Sequence, residues 1–145
     1  MAIFNGTEGS DTLTGGAGAD SLSGYGGRDN IYAGLGDDSL YGGLGEDRLD
    51  GEGGNDLIYG GDGSDDINGD SWSPTTDNST GDDTLYGDGG IDFIYGGTGN
   101  DEIYGGAGGD FLTGGFFLMV ERSLRRVILT EFTAVKATTR RLSIK

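Results

Sequence analysis

The chain has 145 residues, enough for one domain, and its composition is far from average. Glycine supplies 33 residues and proline only one, while cysteine and histidine are absent. Without cysteine and histidine, the chain has no disulfide framework, no thiolate or imidazole zinc site and no residues for most catalytic triads. Collagen is excluded because proline is nearly absent and glycine does not recur at every third residue.

The charge is large and unevenly placed. The formal net charge is −16, and residues 1–115 alone contain 23 acids and two bases, a net charge of −21. Residues 116–145 contain seven bases and two acids, a net charge of +5. Phosphate would be repelled by the acidic part, so we expect no nucleic-acid partner. A chain this acidic, with few large apolar residues, needs cations to neutralise it before it folds.

A period of nine residues runs through most of the chain, and three columns define it in eleven repeats. The first column is an aspartate: Asp11, Asp20, Asp29, Asp38, Asp47, Asp56, Asp65, Asp83, Asp92, Asp101 and Asp110. Two residues before it stands a glycine: Gly9, Gly18, Gly27, Gly36, Gly45, Gly54, Gly63, Gly81, Gly90, Gly99 and Gly108. Two residues after it stands an aliphatic residue: Leu13, Leu22, Ile31, Leu40, Leu49, Ile58, Ile67, Leu85, Ile94, Ile103 and Leu112.

One repeat, residues 15–23, reads GGAGADSLS, which is GGxGxDxUx with U an aliphatic residue. The pattern resembles the hemolysin-type calcium-binding nonapeptide of the repeats-in-toxin family, from Gly6 to Thr113. The resemblance implies an all-β fold, a right-handed parallel β-roll (β-solenoid) in which two nonapeptides make one coil. It also implies that several Ca²⁺ ions lie between stacked turns, so the metal-site residues are the eleven aspartates and the eleven glycines named above.

The chemistry of the residues supports calcium independently. Calcium takes six to eight oxygen ligands from carboxylates and carbonyls, and one aspartate per turn supplies too few. We therefore expect backbone carbonyls to complete the sites, aimed by glycines that adopt positive φ and let turns approach closely. The three residues around each aliphatic alternate out, in and out, which places the aliphatic in a narrow core. Without calcium we expect an expanded, disordered chain.

The repeat is interrupted between Asp65 and Asp83, which are eighteen residues apart. In one interpretation, residues 69–77 form a degenerate repeat with Pro74 at the aspartate position. In the other, residues 71–80 loop out and Asp70 leads directly into Gly81. The second interpretation predicts aspartate ladders at residues 11, 29, 47, 65, 92 and 110, and at residues 20, 38, 56, 83 and 101.

Tyrosine favours the loop-out interpretation. Six repeats end in tyrosine, and looping out places four of them in consecutive coils on one face: Tyr41, Tyr59, Tyr86 and Tyr104. A column of this kind is typical of side chains that stack along a ladder. The alternative is an exposed aromatic face that binds carbohydrate or protein, which would make the chain a calcium-dependent adhesin or ligand-binding solenoid.

The repeat chemistry stops after residue 115, so we divide the chain into a roll over residues 1–115 and a basic C-terminal tail or cap over residues 116–145. In the tail Val120, Leu124, Val127 and Ile128 recur at helical spacing, which predicts a short amphipathic helix. The end of a solenoid needs a cap, which is the interpretation we favour for the tail. Binding at a membrane surface is the alternative.

The expected function is calcium-dependent folding and structural support in a secreted bacterial protein. The resemblance implies a free module or part of a larger toxin, protease, lipase or epimerase, exported by type I secretion machinery without an N-terminal signal peptide. We expect no enzymatic activity, because calcium binding already explains every aspartate column and no catalytic constellation is left. The basic tail departs from the family's usual C-terminal secretion signal.

Overall fold

The computed structural model describes residues 1–70 and 80–114 in full, and beyond them the backbone of three short strands. Among the described residues we find no helix, and therefore none long or apolar enough to cross a membrane. The strands are β1 (Ile3–Asn5), β2 (Thr12–Gly16), β3 (Ser21–Gly26), β4 (Asn30–Leu35), β5 (Ser39–Leu44), β6 (Arg48–Gly53), β7 (Leu57–Asp62), β8 (Asp66–Asp70), β9 (Thr84–Gly89), β10 (Phe93–Tyr95), β11 (Glu102–Tyr104), β12 (Phe111–Thr113), β13 (Leu118–Glu121), β14 (Arg126–Leu129) and β15 (Lys136–Thr138).

The strands form two sheets, and successive strands up to β12 alternate between them. One sheet has the order β1-β3-β5-β7-β9-β11-β15, and the other has the order β14-β13-β12-β10-β8-β6-β4-β2. Each nonapeptide contributes one strand and one turn, so the chain crosses to the opposite sheet after every repeat. Strands from β1 to β12 pair in parallel with the strand one coil away. The predicted β-solenoid of stacked parallel strands is confirmed.

The core consists of two facing columns of aliphatic side chains, one from each sheet. The burial pattern of the short strands, partly exposed, buried, partly exposed, matches the predicted alternation around each aliphatic residue. Leu13 departs from it and is only partly buried, because β2 is the last strand of its sheet and has a neighbour on one side only. The other ten predicted core residues are buried: Leu22, Ile31, Leu40, Leu49, Ile58, Ile67, Leu85, Ile94, Ile103 and Leu112.

The stacking passes through the interruption without a change of register. Ile58 pairs with Leu85, and in the other sheet Ile67 pairs with Ile94. A degenerate repeat would have paired Leu85 with Ile67, so that interpretation is wrong and the loop-out ladders are confirmed. Pro74 lies outside the described residues.

The amphipathic helix expected in the tail is wrong where the structure describes the tail. Val120 lies in β13, while Val127 and Ile128 lie in β14, and these two strands form an antiparallel hairpin beside β12. Leu124 lies outside the described residues. The physical reason is that β12 offers an open row of backbone N–H and C=O groups, which a strand can pair with and a helix cannot. Valine and isoleucine also favour strands, since their branched side chains suit a pleated surface.

Candidate metal centre

Two ladders of aspartate side chains line the turns of the roll. Asp11 is partly exposed because it belongs to the first coil, whereas the ten aspartates that follow it in the repeat are buried. The repeat places one aspartate at the end of each turn, immediately before the strand, so every coil adds one carboxylate to each ladder. The structure thus brings the predicted aspartates together as two columns and not as a compact cluster.

One oxygen of each ladder carboxylate after Asp11 accepts a hydrogen bond from a backbone N–H of the neighbouring coil. Asp29 Oδ1 accepts a hydrogen bond from the N–H of Asp11 at 2.7 Å, and Asp47 Oδ1 accepts one from Asp29 at 2.8 Å. The same bond is present across the interruption, where the N–H of Asp56 donates to Asp83 Oδ1 at 2.8 Å. These bonds fix the orientation of each carboxylate along its ladder.

The second oxygen of most ladder carboxylates has no hydrogen-bond partner. Burying a carboxylate oxygen without a partner is costly, because water no longer solvates its charge. The buried Oδ2 atoms without a partner are those of Asp29, Asp38, Asp47, Asp56, Asp65, Asp83 and Asp92.

The pKa values of the ladder carboxyls reflect the same cost of burying a carboxylate away from water. Burial raises the pKa of Asp83 to about 8 and the pKa values of Asp56 and Asp92 to about 7. Each accepts a backbone hydrogen bond that lowers its pKa, but burial outweighs that bond, and the neighbouring ladder aspartates raise the pKa further. A cation beside the free oxygens would reverse this balance.

A glycine column that the site prediction did not include lies against these free oxygens. It stands five residues before each aspartate of the repeat except Asp83, for which Gly69 takes this place across the interruption, and Ala33 replaces glycine in one repeat. A Cβ atom on Gly42 would lie 2.6 Å from Asp47 Oδ2 and 2.5 Å from the carbonyl oxygen of Gly60 in the next coil. Oxygen atoms of both kinds come within 3.0 Å of the Cβ position at Gly6, Gly24, Gly42, Gly51, Gly60, Gly69 and Gly87. The missed signal was the first glycine of the GGxGxD pattern.

The predicted glycines, two residues before the aspartates, lie where adjacent turns meet. A Cβ atom on Gly63 would overlap the carbonyl oxygen of Gly45, one coil away, so no other residue fits there. Gly9 and Gly18 lack such contacts because no coil precedes them, and Gly81 has the close approach without the positive φ. Positive φ, from 106° to 152°, occurs at Gly27, Gly36, Gly45, Gly54, Gly63, Gly90, Gly99 and Gly108.

Comparison with known families agrees with this geometry. A family model described as the RTX calcium-binding nonapeptide repeat (4 copies) matches residues 5–40, 41–71 and 77–115. The chain belongs to the RTX repeat family. A search of curated proteins found no match. The RTX repeat is a structural calcium-binding module, so this chain is a calcium-binding β-roll.

The donor set of this RTX roll fits calcium. Calcium prefers carboxylate and carbonyl oxygens, and the free Oδ2 atoms lie beside carbonyl oxygens of the adjacent coil. Within residues 1–70 and 80–114, no three acidic side chains lie close enough to hold a metal by themselves. The ladder explains this spacing, because each coil supplies a single carboxylate to it, and backbone oxygens must contribute the remaining ligands.

Proposed function

We propose that calcium switches this RTX roll from an unfolded chain to a folded one, with ions held between stacked turns by the eleven aspartates and the glycines before them. The observation that carries this proposal is the row of buried Oδ2 atoms without hydrogen-bond partners. In the absence of a cation, each added coil buries another uncompensated negative charge next to the last one. Calcium removes that obstacle in every coil at once, so folding and binding become one transition.

The apolar core is too thin to fold the chain by itself. Each repeat buries one aliphatic side chain, which contributes about 1.5–3 kcal/mol. Ordering the nine residues of that repeat costs conformational entropy at every residue, and most at glycine. Backbone hydrogen bonds offset part of this cost, whereas the carboxylate ladders add to it. Calcium binding supplies the missing free energy.

The biological setting follows from the family, since RTX repeats occur in secreted bacterial proteins. Weak calcium sites of this kind bind at about 10⁻⁴–10⁻³ M in extracellular modules. The chain then stays unfolded at low cytosolic calcium, passes through type I secretion machinery, and folds outside the cell where calcium is abundant. It serves either as a free module or as part of a larger toxin, protease, lipase or epimerase, and it carries no catalytic site of its own.

The tail acts as a cap in this proposal. The hairpin β13–β14 pairs with β12, and β15 pairs with β11, so strands of the tail cover the end of both sheets. Open sheet edges attract other chains, and covering them keeps a solenoid from stacking end to end. The net charge of +5 on residues 116–145 also complements the acidic roll.

The stacked tyrosines support a structural role more than glycan binding. Tyr41, Tyr59, Tyr86 and Tyr104 form one column, with ring centroids 4.6–5.3 Å apart and ring planes within 6° of parallel. Each inner ring therefore has both faces covered by its neighbours and presents its edge to the outside. A sugar that binds an aromatic residue stacks on the ring face, and this column leaves inner faces unavailable.

Far-ultraviolet circular dichroism during a calcium titration from chelated protein tests the folding switch. We expect a cooperative change from coil to β structure at sub-millimolar to millimolar calcium, and no such change with magnesium. Asp56→Asn, which removes one buried carboxylate charge, should raise the calcium midpoint. Its matched control is Asp37→Asn, since Asp37 is an exposed neighbour whose Oδ1 accepts the N–H of Asn55, a bond that asparagine also makes. Full β structure in chelator would contradict the proposal.

A further inference from the structure

A pair of polar residues on the outer face of the eight-stranded sheet is not explained by the aspartate ladders. Asp50 and Asn68 lie in β6 and β8 and are direct partners in the register of the two strands. Each follows a buried core aliphatic, so the alternation of the strand turns both side chains away from the core. They are nevertheless 5% and 4% exposed, which is the burial of an interior residue.

The neighbours of this pair are aromatic residues. Along the same column Tyr32 pairs with Asp50, and Asn68 pairs with Tyr95. On the opposite face of the roll the corresponding column is an unbroken stack of four tyrosines. Asp50 and Asn68 thus replace two rings of such a stack, and shorter polar side chains occupy the space between two tyrosines.

Asp50 carries a free buried oxygen there. Its Oδ1 atom is buried and has no hydrogen-bond partner. Burial, followed by the negative charge of Glu52, raises the pKa of Asp50 to about 6. The positive charge of Arg48 acts in the other direction but does not offset these effects. Glu52 pairs in register with Asp70, so two more acidic residues lie two positions along the same two strands.

We propose that Asp50 and Asn68 form a further cation site, which takes Ca²⁺ on the outer face of the sheet and is separate from the aspartate ladders. A carboxylate oxygen without a partner, an amide and nearby acidic residues are hard oxygen donors of the kind that calcium prefers. Because no three acidic side chains meet at ligand distance among the described residues, the Asn68 amide oxygen and water molecules complete the shell. The free Oδ1 of Asp50 is the observation that distinguishes this pair from an ordinary solvated acidic face.

The test compares the number of calcium ions bound per chain by equilibrium dialysis at saturating calcium. Asp50→Asn keeps the shape of the side chain and removes its charge, and we expect it to bind one ion fewer than the unchanged chain. The matched control is Asp66→Asn, an exposed carboxylate of β8 whose negative charge also acts on Asp50; it removes a neighbouring charge without removing the buried oxygen, and should bind the same number. An unchanged ion count in Asp50→Asn would overturn the site.

Two further variants keep the outcomes distinct. If Asp50→Asn does not reach the β signal of the unchanged chain in calcium, the ion count of Asn68→Ala is measured instead. We expect this variant also to bind one ion fewer, and an unchanged ion count would overturn the site. If Asp50 were only an uncompensated buried charge, Asp50→Asn would melt at a higher temperature with its ion count intact, which also overturns it. Failure of the ladders would appear differently, as an Asp56→Asn variant with an unchanged calcium midpoint and ion count.

Discussion

The N–H of Asp56 donates a hydrogen bond of 2.8 Å to Oδ1 of Asp83, although 27 residues separate them where every earlier pair in the ladders is separated by 18. The ladder is therefore continuous in space while the chain makes a detour of nine extra residues. The same holds in the second ladder, where the N–H of Asp65 donates to Oδ1 of Asp92 at 3.0 Å. Gly69, Asp70 and residues 80–83 together form a single turn of the roll.

Deleting residues 71–79 should leave the calcium-induced transition in place. The deletion joins Asp70 to Thr80 and restores a turn of ordinary length, so the strand register on either side is unchanged. We expect the calcium midpoint to stay within about twofold, which is less than about 0.5 kcal/mol. Circular dichroism titration measures it. Deleting residues 42–50 is the control of equal length, because it moves every later repeat to the opposite sheet and divides the tyrosine column. A loss of folding in the deletion of residues 71–79 alone would contradict the register.

Gly42→Ala should destabilise the calcium-bound roll. The added Cβ would lie 2.5 Å from the carbonyl oxygen of Gly60 and 2.6 Å from Asp47 Oδ2, so the backbone or the carboxylate must move. Overpacking of this kind costs about 1–3 kcal/mol, and thermal melts in saturating calcium would show it as a lower midpoint. Gly109→Ala is the matched control, since a Cβ there would meet nothing within 4 Å. Equal melting temperatures for the two variants would show that this column tolerates a methyl group.

The parts of the fold that follow from the period were predictable from the sequence. A strict repeat determines which residue faces the core, so the core aliphatics from Leu22 to Leu112 needed no further information, and neither did the aspartate ladders on each side of the interruption. At the interruption the period alone left two interpretations, and the tyrosine column decided between them. That column is a contact between coils, which is why it carried information that single repeats lack.

Other features depend on neighbours that the sequence pattern does not reveal. The burial of Asp47 Oδ2 beside Gly42 results from how two coils approach, and the pattern shows only that glycine recurs there. Glu52 adopts positive φ at a position that glycine fills in many other repeats. Glutamate itself does not indicate this conformation. The strands of the tail form because β12 offers an edge, whereas the apolar spacing of Val120 and Val127 by itself favoured a helix.

Tyr59→Ala should lower the stability of the roll by about 1–3 kcal/mol. Tyr59 stacks on Tyr41 at 5.3 Å and on Tyr86 at 4.7 Å, so the substitution removes two ring contacts at once. Each aromatic pair contributes about 0.5–1.5 kcal/mol beyond the area that it buries. Tyr59→Phe keeps both contacts and is the control. Thermal melts in saturating calcium compare the two variants, and a melting temperature for Tyr59→Ala equal to that of Tyr59→Phe would show that the column contributes no stability.

The pH dependence of folding should be strong without calcium and weak in excess calcium. Burial raises the pKa of Asp83 to about 8 and that of Asp56 to about 7, so the calcium-free roll holds protons there that the unfolded chain releases near its ordinary value of 3.8. A folded state that binds more protons than the unfolded state loses stability as the pH rises, and here the loss extends from about pH 4 to about pH 8. Calcium requires ionised carboxylates, so in excess calcium neither state holds protons there above about pH 5, and stability becomes nearly independent of pH up to about pH 8.

Circular dichroism across this pH range in metal-free buffer, which follows the fraction of β structure, and thermal melts in excess calcium measure the two pH dependences. The Asp83→Asn variant should flatten the calcium-free slope, because it removes the carboxyl whose pKa burial raises to about 8. Asp82→Asn is the control, since Asp82 is an exposed neighbour whose Oδ1 accepts the N–H of Asn100, a bond that asparagine retains. If β structure in metal-free buffer instead increased from about pH 5 to about pH 8, the buried carboxylates would not be what opposes folding without calcium, and the switch would have to lie elsewhere in the chain.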